Sequence, residues 1–159
     1  MAKHDIKEGS YDVNGARFAL VVSRFNAEVV ARLEQAALDT LKRHGVAAEN
    51  ITVVPVPGAF EIPFMAKRLA DGGSFDVVIT LGAVVRGGTP HFEYVAGECA
   101  RGVAEVARES GVPIIFGVLT TDDMAQALER AGGSEGNKGS ESAIAAMDMV
   151  TTLRGFAGQ

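Results

Sequence analysis

The residues best suited to chemistry lie in Arg86-Gly87-Gly88-Thr89-Pro90-His91, six positions that join flexible backbone, a hydroxyl, a helix-opening proline and an imidazole. Unpaired N–H groups at a helix start bind phosphate through hydrogen bonds and the helix dipole. The same Gly87-Gly88 pair would equally serve a tight turn and nothing more. His91 would fall in the first turn of the helix that follows. The positive end of a helix disfavours imidazolium, and a neutral ring there can take or give a proton near neutral pH. A histidine that closes a helix end for structural reasons fits the same spacing, and both readings stand at this point.

Other reactive side chains are fewer. Cys99 is the only cysteine, which excludes an intramolecular disulfide. Its setting, Ala96-Gly97-Glu98-Cys99-Ala100, has helical spacing and suits a small buried apolar side chain better than a nucleophile. His4, His44 and His91 are scattered and lack the spacing of a metal site, so no metal is expected. The stretch Gly133 to Ser140 superficially looks like a P-loop. However, Asn137 separates Gly136 from Lys138, and the segment before it has a helical rather than a strand pattern. The dinucleotide fingerprint G-x-G-x-x-G follows none of the predicted strands, which argues against a dehydrogenase.

Charge narrows the ligand class. Fifteen Lys and Arg against twenty Asp and Glu give a net charge of −5, with no basic run. A nucleic-acid binder is thereby disfavoured, because phosphate contacts dominate its affinity. A small phosphorylated ligand remains open, since one arginine and one helix N-terminus suffice to hold it. No apolar run reaches the ~20 residues of a membrane span. The opening MAKHDIKEGS lacks the apolar core of a secretory signal, so the expected location is the cytoplasm.

These residues need a scaffold, and the hydrophobic pattern supplies one. Short apolar runs at Phe18–Val22, Ile51–Val54, Asp76–Leu81 and Pro113–Val118 predict four strands. Pro55 and Pro57 are expected to close the second, and a glycine-rich loop is expected from Gly82 to Pro90. Between the strands, apolar residues recur at three- and four-residue spacing. One helix is predicted from Ala27, with Asn26 as N-cap and Gly45 as its stop. Others are predicted over Phe60–Leu69, His91–Ser110, Asp123–Ala131 and Ser140–Leu153. Alternating strands and helices imply crossover connections and a parallel sheet covered on both faces. The predicted fold is therefore α/β: a three-layer αβα sandwich of flavodoxin-like type around a four-stranded parallel sheet. Residues 16–159 would form one domain, and residues 1–15, poor in apolar side chains, an N-terminal arm. Ligands of such sheets bind outside the carboxyl ends of the strands. That places Ser23–Asn26, Val56–Glu61, Gly82–His91 and Phe116–Thr121 around one site.

Those loops are individually distinctive. Ser23-Arg24-Phe25-Asn26, Val56-Pro57-Gly58-Ala59-Phe60-Glu61-Ile62-Pro63, the run from Gly82 to Val95, Phe116-Gly117-Val118-Leu119-Thr120-Thr121, and Gln126 to Gly132 followed by Gly136-Asn137-Lys138-Gly139 resemble the lumazine synthase family in order and spacing. The resemblance runs from about Ala16 to Leu153. It implies condensation of 5-amino-6-(D-ribitylamino)uracil with 3,4-dihydroxy-2-butanone 4-phosphate, with release of phosphate and water and with no cofactor. Carried over by motif, His91 would move protons and Phe25 would stack on the pyrimidine. Ala59, Phe60 and Glu61 would hold the ribityl chain, and Ala83, Val84 and Val85 would line the heterocycle. Gly88, Thr89 and Arg130 would bind the butanone phosphate. Phe116 and Lys138 would close the site, arriving with Arg130 from an adjacent subunit. Ala83 stands where the family often has threonine, which removes one hydroxyl and leaves the backbone contacts. Pro90 stands at a position that varies among relatives.

The resemblance also implies a homopentamer in which the arm, residues 5–14, adds a strand to a neighbour's sheet edge. The short connection from Ala131 to Gly136 resembles members that build a 60-subunit icosahedral shell, with riboflavin synthase a candidate partner. A catalytically silent relative would be expected to lose His91 or Arg130, and both are present.

Overall fold

The computed structural model describes residues 3–157. Its centre is a parallel sheet of β1 (Phe18–Ser23), β2 (Ile51–Val56), β3 (Val77–Val85) and β4 (Ile114–Thr121), in the order β2-β1-β3-β4. Five α-helices join or flank the strands: α1 (Ala27–Arg43), α2 (Ile62–Asp71), α3 (His91–Ser110), α4 (Met124–Glu129) and α5 (Lys138–Arg154). This is the three-layer α/β arrangement that the alternating pattern implies.

Side-chain alternation along β1 sorts the core into two layers. Phe18, Leu20 and Val22 face α1 and α5, where they meet Leu33, Leu41 and Met147. Ala19 and Val21 face α2 and α3 and meet Ile62, Ala66, Cys99 and Val103. Complete burial of side chains such as Phe18, Leu20, Ile79 and Leu81 contributes about 2 kcal/mol each before entropy is counted. The α1–α5 contact depends on Gly139, because a Cβ there would lie 1.9 Å from the Leu33 carbonyl oxygen. No helix of the described residues is long and apolar enough to cross a membrane.

Several element ends differ from expectation, each for a tertiary reason. β2 runs through Pro55 to Val56 rather than stopping at Val54. It is an edge strand, so the missing N–H of proline need not break a ladder. Its burial is also partial, so this strand is not covered on both faces. β3 continues past Leu81 to Val85, because Gly82–Val85 pair in register with Val118–Thr121. The predicted Gly82–Pro90 loop therefore shrinks to Arg86–Pro90. Residues 59–61 form a 3-10 turn ahead of α2. The glycine-rich stretch after α4 folds back as a small hairpin of β5 (Ala131–Gly133) with β6 (Gly136–Asn137). Asn137 then caps α5, its Oδ1 accepting from the N–H groups of Gly139 and Ser140.

Two helix ends follow the sequence closely. Gly45 (φ 84°) stops α1 in the left-handed region, and Gly111 (φ 71°) stops α3. Asn26 does occupy the cap position of α1, but not as a side-chain cap. It is itself left-handed (φ 59°), and its amide donates instead to the carbonyl oxygen of Ala83 at 2.8 Å.

The N-terminal segment lies partly against its own chain. Ser10 N–H donates to Thr151 Oγ1 at 3.1 Å, and Arg154 donates to the carbonyl oxygens of Asp12 and Asn14. Val13 and Ala16 are buried in the core. Residues 3–8 form no helix or strand.

Candidate active site

The carboxyl ends of β1, β2 and β3 open into a groove of about 630 Å³. Phe25 stands at its mouth on the turn after β1, 72% exposed. Ala59, Phe60 and Glu61 line a second side on the 3-10 turn after β2, with Ala59 buried and the other two exposed. Ala83, Val84 and Val85 form the floor. β1 pairs with β3 only as far as Leu81, so beyond that residue no strand covers that edge of β3. Asn26 takes the Ala83 carbonyl there, which ties the turn after β1 to the floor.

The fourth side is the start of α3. Thr89 and His91 line the groove, together with Phe92 and Val95 from the next turns. Gly87 and Gly88 have open space where a Cβ would stand, so the loop backbone is accessible to a ligand. Thr89 Oγ1 reaches the His91 N–H at only 3.5 Å, and Pro90 offers no side-chain cap. Of the first-turn N–H groups, that of His91 has only this long contact and that of Glu93 donates to the Pro90 carbonyl at 3.1 Å, as at a helix start without a side-chain cap. His91 is exposed, and its ring makes no hydrogen bond among the described residues.

Phe116, Arg130 and Lys138 are not in this groove. They line a separate pocket of about 420 Å³ between β4, the β5–β6 hairpin and α5, together with Glu135 and Glu141. Arg130 follows α4, where its guanidinium donates to the Gln126 carbonyl at 3.1 Å and lies 3.6 Å from Glu129. Lys138 opens α5, its N–H bonded to the Arg130 carbonyl at 2.9 Å. The structure therefore gathers Phe25, the 59–61 and 83–85 segments, Thr89 and His91 in one groove. It leaves Phe116, Arg130 and Lys138 together in another. Gly88 sits in the loop before α3 between two groove-lining residues, Gly87 and Thr89.

Sequence reasoning passed over two contributors. Asn26 was expected to cap a helix but bridges two sides of the groove. Arg86 was seen only as part of a loop, yet its guanidinium meets Glu93, Asp122 and the Phe92 ring. Neither partner set is visible in sequence spacing, because each depends on where β3 ends relative to β1 and β4. Cys99 is fully buried, and burial pushes its thiol up to about 12, which makes it a packing residue. Among the described residues no three His, Cys, Asp or Glu side chains gather as a metal site would require.

The sequence matches the family described as 6,7-dimethyl-8-ribityllumazine synthase over residues 15–154. The chain belongs to that family. Membership places it among enzymes that form a ribityllumazine in riboflavin biosynthesis, acting on small molecules. All six strands, all five α-helices and both pockets described lie within the matched span. The groove at the strand ends has a largely apolar and aromatic lining, at the place where open parallel sheets bind small molecules.

Proposed function

We propose that this lumazine synthase is a transferase that condenses 5-amino-6-(D-ribitylamino)uracil with 3,4-dihydroxy-2-butanone 4-phosphate in the groove at the ends of β1–β3. What carries the reading is the composition of that groove. An exposed phenyl ring, a carboxylate and an open helix N-terminus surround one cavity. An aromatic ring, a polyol and a phosphate are the three parts that such a lining suits.

Phe25 stacks on the pyrimidine, an offset aromatic contact that costs little side-chain entropy. Glu61 accepts from the ribityl hydroxyls, with Ala59 and Phe60 packing beside the chain. Ala83, Val84 and Val85 lie under the heterocycle and offer the uncovered edge of β3 to its polar atoms. Gly88 and Thr89 hold the phosphate with backbone N–H and hydroxyl. The amino group of the substrate attacks the ketone itself, so no enzymic nucleophile is required. Imine formation, phosphate elimination, ring closure and dehydration remain, and each makes or breaks a C–N or C–O bond with an accompanying proton transfer that a histidine beside the phosphate can serve. Holding both substrates together supplies much of the rest. No cofactor takes part.

Arg130, Lys138 and Phe116 complete the site from an adjacent copy. This reading is supported by their position in a different pocket of the same chain, half-buried and with two of the three cationic, without a place in the groove. The assembly is a homopentamer in the cytoplasm, built further into a 60-subunit shell that can hold riboflavin synthase. The edge strand β2 is the surface to which a neighbour's N-terminal arm, residues 5–14, can add. The direct test mixes the protein with both substrates and follows the lumazine fluorophore. Folded protein that forms none would overturn the assignment. Light scattering that finds only pentamers in phosphate buffer would overturn the shell.

A further inference from the structure

We propose that Arg86 is a positioning residue that clamps the first turn of α3 and shields the bound phosphate from two neighbouring carboxylates. The proposal rests on the placement of the butanone phosphate at Gly88 and Thr89.

Arg86 is the first residue after β3, and its N–H donates to the Thr121 carbonyl at 2.8 Å, so its backbone is fixed to the end of β4. Its side chain then reaches the start of α3 and the residue after β4. Nε donates to Asp122 Oδ1 at 3.1 Å, Nη1 pairs with Glu93, and the guanidinium carbon lies 4.3 Å from the centre of the Phe92 ring. One planar group thus grips two successive residues of the first turn of α3 and the connection after β4. That connection is itself held, since Asp122 N–H donates to Gln126 Oε1 at 2.8 Å.

Two considerations give the clamp a role in the reaction rather than in folding. First, both ion pairs are exposed, and exposed pairs contribute little to stability. Second, α3 has no side-chain cap of normal length, so the backbone that carries His91 needs another support. Glu93 suits the positive end of a helix but repels an incoming phosphate, as does Asp122. With Arg86 between them, the two carboxylates are paired and turned to one cation. The pairing holds the Glu93 carboxyl below its ordinary range, so this carboxylate stays charged at neutral pH.

The test uses the full chain and the variants Arg86→Gln, Arg86→Lys and Arg86→Gln/Glu93→Gln. Affinity for inorganic phosphate is read by calorimetry, and KM for each substrate and kcat by lumazine formation. Arg86→Gln should weaken phosphate affinity and raise KM for the butanone phosphate roughly fivefold, a water-screened charge effect. KM for the ribitylaminouracil should not move. Arg86→Lys should keep most of the phosphate affinity while lowering kcat, because charge is retained but the fork and the stack on Phe92 are lost. The double variant should regain phosphate affinity to within about twofold, since one of the exposed carboxylates is gone. Unchanged phosphate affinity in Arg86→Gln, or no recovery in the double variant, would overturn the clamp. Wild-type protein that forms no lumazine would instead sink the assigned function, and the calorimetric series would still decide the electrostatic claim.

Discussion

The two pockets of this chain are built in opposite ways. The groove at the ends of β1–β3 is lined mostly by aliphatic and aromatic side chains, with Glu61, His91 and Tyr94 its ionisable groups. The pocket beside α5 is smaller and presents Arg130 and Lys138 against Glu135 and Glu141. The first suits recognition by shape and stacking, and the second suits recognition by charge. A substrate pair that joins a heterocycle to a phosphate ester needs both, and one chain keeps them apart. The contrast teaches that the folded chain is a complete scaffold but, on the proposed function, only half of each catalytic site. Variants in the two regions should therefore fail in different ways.

The largest effect is expected in the charged region. Arg130→Ala should lower kcat/KM about a hundredfold, mostly through KM for the butanone phosphate, the usual cost of losing a charged hydrogen bond to a ligand. The loss should also shrink as salt is added to the wild type, because ions screen the same interaction. If KM for both substrates rose together, Arg130 would be supporting the structure after α4 rather than holding phosphate. In the groove, His91→Ala should lower kcat roughly thirtyfold with little change in either KM. That is below the usual range for a general acid–base because positioning carries the remainder. Full turnover at saturating substrates would remove His91 from the mechanism. Phe25→Ala should raise KM for the ribitylaminouracil roughly tenfold and be insensitive to salt.

The smallest effect on activity should come from Cys99, which separates packing from chemistry within α3. Its thiol, ordinarily at 9.0 and here at about 12, should not react with a water-soluble thiol reagent at pH 8 until the protein unfolds. The sign of the stability effect follows. The unfolded thiol ionises first, so this contribution is intact below pH 9.0 and is lost as pH rises towards about 12. Rapid labelling of the native protein would contradict the burial.

Much of this was readable in the residues, and the failures share one cause. Phe18–Val22 and the periodic run from Ala27 gave their elements without help from the rest of the chain. Gly45 and Gly111 ended helices because only glycine takes a left-handed backbone cheaply. Gly82 and Pro55 misled, since local propensity breaks strands at both while the pairing partners, β4 and β1, extend them. In the candidate site, Phe25 and Thr89 on loops, Glu61 on a 3-10 turn and His91 at the start of α3 converge because the strand order brings the strand ends together. The links that sequence missed, Asn26 to Ala83 and Arg86 to Asp122, are 57 and 36 residues long in sequence. No spacing rule reaches across such distances.

The most direct test of a site shared between copies is complementation. Gly88→Asp places a carboxylate in the anion loop, where a side chain meets no obstruction, and should block the groove half. Arg130→Ala removes the cationic half. Each variant alone should be nearly inactive. Co-assembled in equal amounts, they should recover roughly a quarter of wild-type lumazine formation, because a heterologous ring pairs an intact groove with an intact neighbour at one contact in four. Mixed assemblies no more active than the two parents together would contradict the shared site.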